Sequence, residues 1–132
     1  MRTLLLRGRT SNAGPHDVGR DAGEIIIRVA RASSQSTVTV SGRVTVDSSP
    51  HLRSVLLQLL HRETGPAVVV DLSEVSYLDM SGLATLLEAL KAARQRSKAL
   101  RVVGMTGQSR FLAEIAELDK IFQSAGSEVE FR

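Results

Sequence analysis

Apolar and polar positions along this chain change their period several times, and each change marks an element. Residues 67–70 form a short unbroken apolar run, β-branched at three of four positions, which suits a strand covered on both faces of a sheet. Asp71 ends that run, and an acidic, serine-bearing loop follows through Ser76-Tyr77-Leu78-Asp79. Beyond it Leu83, Leu86, Leu87 and Leu90 recur at helical spacing, which places them on one buried face of a helix starting near Met80. Upstream, residues 24–30 carry Ile25, Ile26, Ile27 and Val29 and read as a first strand. Residues 37–46 alternate with Val38, Val40, Val44 and Val46 on one face, interrupted at Ser41-Gly42. Ser49 as N-cap and Pro50 at the first helical position open a helix whose buried stripe is Leu52, Val55, Leu56 and Leu59, ending near Glu63.

In the last third, residues 100–103 read as another buried strand, and Gly104 to Gln108 as the turn into a final long helix. That helix carries Phe111, Leu112, Ile115 and Leu118 on one face, with Ile121 and Phe122 as its apolar continuation; residues 129–131 add an edge strand. Strands alternating with helices predict an α/β fold: a mixed, mostly parallel sheet of four to five strands with helices packed mainly on one side. Residues 1–22 mix Arg, Gly, Ser, Asn and Pro without periodicity, which predicts a flexible N-terminal tail ahead of a single domain spanning 23–132.

Composition narrows the function classes. The 132 residues suffice for one domain with a sizeable core. No run approaches the roughly 20 apolar residues that span a bilayer, so direct membrane insertion is not expected. The three leucines after Arg2 fall short of the apolar stretch of about 7 to 15 residues that a secretory leader needs. With no cysteine there is no thiolate nucleophile, disulfide or zinc-thiolate cluster, which is compatible with a cytoplasmic location. Two of the three net positive charges lie in residues 1–22, where four arginines face two aspartates. The domain is therefore nearly neutral, and one Tyr and three Phe supply few stacking platforms, so no nucleic-acid partner is expected.

Catalytic chemistry is equally thin. His16, His51 and His61 fall at no metal-ligand spacing. The glycines of the 104–109 turn lack the Gly-Lys-Ser/Thr ending that holds phosphate and magnesium. Asp71 and Asp79, eight residues apart, match no carboxylate motif for a hard cation. The chain is read as no enzyme, without metal or cofactor.

The residues Asp71-Leu72-Ser73, Val75, Leu78-Asp79 and Ser81-Gly82-Leu83 resemble the signature of the STAS domain, the fold of bacterial anti-sigma factor antagonists and of the cytoplasmic tails of sulfate transporters. The resemblance extends over roughly residues 24–131. It implies a protein-binding module of partner switching in transcription regulation, capturing an anti-sigma factor or serine kinase-like regulator through the strand-to-helix loop; a homodimer is left open. Stand-alone domains resembling this one also serve as cytoplasmic subunits of ABC-type lipid transport systems, docking the same helix start on the ATPase.

The resemblance also marks a departure. In the family, an Asp is followed by two small hydroxyl residues and Gly-Leu, and the first hydroxyl is phosphorylated by the partner kinase; here that position is Met80. A thioether cannot accept a phosphoryl group, so no phosphosite is expected at Met80. Ser81 remains one residue later, but a serine in a first helical turn tends to bond the local backbone, and the family's second hydroxyl is not its acceptor. Asp79 suits an N-cap, accepting from the N–H of Ser81 or Gly82, either as a cap alone or as a cap that also faces a partner. Gly82 allows close approach of the helix start to a neighbouring segment. Tyr77 and Met80 offer apolar area to a partner or, alternatively, to the domain's own loop. Tyr77, Asp79, Met80, Ser81 and Gly82 are thus the candidate partner-binding residues.

Overall fold

A computed structural model of the chain describes residues 2–9, 24–62 and 65–131. Its strands β1 (Arg2–Arg9), β2 (Glu24–Arg31), β3 (Gln35–Val44), β4 (Ala67–Leu78), β5 (Ala99–Met105) and β6 (Glu128–Phe131) form one sheet in chain order. The β1–β2 and β2–β3 pairs are antiparallel and the other three are parallel. Parallel neighbours need crossovers. These are α1 (Ser49–His61), α2 (Met80–Gln95), and the pair α3 (Gly107–Ile115) and α4 (Leu118–Ser124). The mixed, mostly parallel α/β architecture is the expected one.

The pleat explains where the core sits. On β2 and β3 the alternating Ile25, Ile27, Val29, Val38, Val40 and Val44 are fully buried, joined by Val68, Val70, Leu72, Leu100 and Val102 from the centre of the sheet. Leu52, Leu56, Leu59 and Leu60 of α1 and Leu83, Leu86, Ala89 and Leu90 of α2 close over that face. The opposite face carries Arg28, Thr39, Glu74 and Arg101, half-buried or exposed, so the helices lie on one side. No helix among the described residues is long and apolar enough to cross a membrane.

Five expectations change. The tail assigned to residues 1–22 is a strand over Arg2–Arg9, paired with β2 from Arg2 opposite Arg31 to Arg9 opposite Glu24; residues 10–23 lie outside the described residues. Asp71 does not end the third predicted strand: β4 runs on to Leu78, and what ends at Asp71 is its pairing with β5. There the Asp71 carboxylate accepts the Ser73 N–H at 2.9 Å, and the register with β3 shifts between the Thr39–Asp71 and Ser41–Glu74 pairs. Helix α1 begins one residue earlier, with Ser48 as N-cap; its hydroxyl does not cap but donates to the Arg43 carbonyl at 2.7 Å. Leu87, expected inside, sits at the exposed margin of α2.

The fifth change is the final long helix, which is two. Glu117 adopts a left-handed backbone at φ 53° and ψ 41°, breaking the axis between Ile115 and Leu118. The break turns Leu118 and Phe122 fully into the core, while Phe111 and Ile115, expected on the same buried face, are each 65% exposed.

Candidate functional site

The site forms where β4 runs out and α2 begins. Past Asp71, β4 keeps β3 on one side but loses β5 on the other, so its backbone there needs a new partner. Gln108 in the first turn of α3 supplies one. Its amide oxygen accepts the Leu78 N–H at 2.9 Å and its NH2 donates to the Leu78 carbonyl at 2.7 Å, replacing one rung of strand pairing. On the β3 side the Asp79 N–H donates to the Val44 carbonyl at 3.0 Å. Leu78, fully buried, is thus pinned on both edges immediately before the helix.

Asp79 then works as the cap. Its Oδ1 accepts the N–H of Ser81 at 2.9 Å and of Gly82 at 3.2 Å, and also the Ser81 hydroxyl. Its Oδ2 accepts the Val46 N–H at 3.0 Å, which ties the loop after β3 to the helix start. Partial burial desolvates the carboxylate and pushes its pKa up, but the hydrogen bonds from Ser81, Gly82 and Val46 outweigh that and hold it below its ordinary value of 3.8. The hydroxyl of Ser81 is therefore spent inside the junction, as a local bond rather than a free nucleophile.

Gly82 is buried, and a larger residue there would press into the core. A Cβ built there lies 2.5 Å from Leu78 Cδ1 and 2.9 Å from Val44 Cγ1, both in fully buried side chains. Met80, by contrast, is 65% exposed at the first position of α2. Across the Asp79 cap, Val46 is 68% exposed, although its alternation with Val44 had placed it on the inner face. The strand ends at Val44, so that alternation no longer applies. Tyr77 precedes the buried Leu78 and so points to the other face of the sheet, where the Arg43 guanidinium lies 4.5 Å from its ring centroid.

The five candidate residues thus divide. Met80 is open to solvent, Tyr77 is half-buried under Arg43, and Asp79, Ser81 and Gly82 build the turn that holds Met80 out. Gln108, Arg43 and Val46 were not among the candidates; each reaches the junction through a contact distant in sequence. Among the described residues no group of three or more His, Cys, Asp or Glu is placed to hold a metal.

The sequence matches the family model described as "Mlab, STAS domain" over residues 27–123. It is 36% identical over 95 residues to the anti-sigma-B factor antagonist of Staphylococcus aureus (strain NCTC 8325 / PS 47), covering 70% of this chain and 86% of that one. The chain belongs to the anti-sigma factor antagonist family of STAS domains. Among solved structures, an anti-sigma factor antagonist from Mycobacterium paratuberculosis superposes with a TM-score of 0.67 at 28% identity, covering 74% of this chain and 82% of that one. The antagonist SpoIIAA in its unphosphorylated form shares the fold at the same TM-score of 0.67 with only 8% identity, over 80% of this chain and 87% of its own. This STAS domain therefore keeps the family architecture, and its own α2 starts at an Asp79 cap with a methionine at the first helical position.

Proposed function

We propose that this STAS domain is a protein-binding module that captures an anti-sigma factor, or a serine kinase-like regulator, through the β4–α2 junction, and that phosphorylation at the helix head does not switch it off. The partner class comes from its relatives, which are named anti-sigma factor antagonists. The observation that carries the reading is Met80: an unbranched, polarisable side chain, 65% exposed on a rigid capped turn, supplying apolar area that a partner can bury. Val46, 68% exposed and tied through its N–H to Asp79, offers a second exposed apolar side chain at the junction. Where a family hydroxyl would take up a phosphate of about −1.5 to −2 charge, a thioether takes up none, so capture is constitutive. The domain acts by binding, in the cytoplasm, without catalysis, cofactor or metal of its own.

The test is mass spectrometry of the intact protein after incubation with the anti-sigma kinase and Mg-ATP. The expected result is an unchanged mass with the complex still formed. A gain of one phosphate, mapped to Ser81, would overturn constitutive capture. Recovery from cells of an ABC ATPase and permease instead of an anti-sigma factor would move the protein to membrane transport.

A further inference from the structure

Charge at the open sheet face is distributed unevenly near the junction. Glu74 is committed: Arg28 donates to it at 2.9 and 3.2 Å and the Ser41 hydroxyl at 2.7 Å. Asp79 is committed to the cap. Arg43, one rung from the Val44–Leu78 pair and half-buried, has no carboxylate within ion-pair distance among the described residues, and its contact is the face of Tyr77. A ring over one face of a guanidinium restricts its rotamers yet leaves the in-plane N–H fork available. The stack is thus a preorganised cation at the end of the sheet where Met80 emerges.

We propose that the Arg43–Tyr77 stack is the charged half of the partner-binding surface, receiving a carboxylate from an acidic side chain of the captured protein beside the apolar contact at Met80. This rests on the protein-capture reading above and adds the chemistry of the partner: an acidic residue next to an apolar pocket. Closure over the stack would exclude water, and a bidentate guanidinium–carboxylate pair would fix the orientation of docking.

The experiment is calorimetric titration of the purified anti-sigma factor with the full chain, wild type beside Arg43→Gln, Arg43→Lys and Met80→Asp, at low and high NaCl. Arg43→Gln should weaken binding about tenfold or more. Arg43→Lys should fall between it and wild type, and the gap should narrow as salt rises. Arg43→Glu should lose binding and regain it when the facing acidic residue of the partner is changed to Arg, a rescue that a packing role for Arg43 would not give, even if the single variants lose stability. Wild-type affinity in Arg43→Gln, with Met80→Asp weakened, would overturn the carboxylate contact and leave the capture reading standing. Wild-type affinity in both variants would overturn both.

Discussion

Replacing Asp79 by Ala removes one carboxylate and with it the bonds to Ser81 N, Gly82 N and Val46 N at 2.9, 3.2 and 3.0 Å, and the bond from the Ser81 hydroxyl. Loss of an N-cap costs about 0.5–2 kcal/mol, and this one sits at the upper end because it satisfies two helix donors at once. Loss of a negative charge at the start of α2 adds about 0.3–1 kcal/mol. The Val46 N–H lies in an exposed loop where water replaces the acid, so it adds little. The expected total is about 2–3 kcal/mol, read as a lowered urea midpoint with unchanged slope. The pH dependence has a definite sign. The folded-state pKa of Asp79 lies below its unfolded value, so the charge-dependent part of this stability is fully present above about pH 4 and is lost as pH falls through the folded pKa. Urea melts at pH 7 and in steps below pH 4 should therefore show wild type and Asp79→Ala converging in acid, with Asp79→Asn, which keeps an acceptor, losing less at pH 7. Equal midpoints at pH 7, or a gap that does not shrink in acid, would refute the assignment of the cap.

Two further predictions concern the scaffold. Gln108→Ala leaves the N–H and carbonyl of Leu78 without their partner and should cost about 1–3 kcal/mol, seen in thermal or urea unfolding; wild-type stability would mean that the end of β4 does not need the clamp. The break at Glu117 separates two aromatic side chains: Phe122→Ala should cost about 3–5 kcal/mol and Phe111→Ser no more than about 0.5 kcal/mol, whereas comparable losses would mean one continuous buried face.

What the sequence made legible is what local physics decides. The Asp79 cap, the start of α2 at Met80 and the close approach at Gly82 follow from residue type and neighbours within a turn, and the structure places all three there. The far half of β4 was hidden because two register shifts against β3, one around Leu72–Ser73 and one at Ser76, change which positions face inward: Leu72, Val75 and Leu78 are buried at spacings of three rather than two. Strand β1 was hidden because only its pairing with β2, fifteen or more residues away, makes a strand of three leucines among arginines and a glycine. The α3–α4 break turns on a single left-handed glutamate inside a pattern that fits an unbroken helix. The same limit applies at the site. Arg43 and Gln108 reach the junction only because β3 pairs with β4 and because β5 leaves β4 at Asp71, and neither contact has a signature in the residues themselves.

The central claim is that an exposed methionine at the head of α2 captures a protein partner. The measurement that tests it most directly is the affinity of the anti-sigma factor for wild type and Met80→Asp, with thermal unfolding of both chains alongside. A charge placed in an apolar contact should weaken binding by about tenfold or more and leave the unfolding midpoint nearly unchanged, because Met80 makes no part of the core. Unchanged affinity, or lost folding in place of lost affinity, would contradict the account.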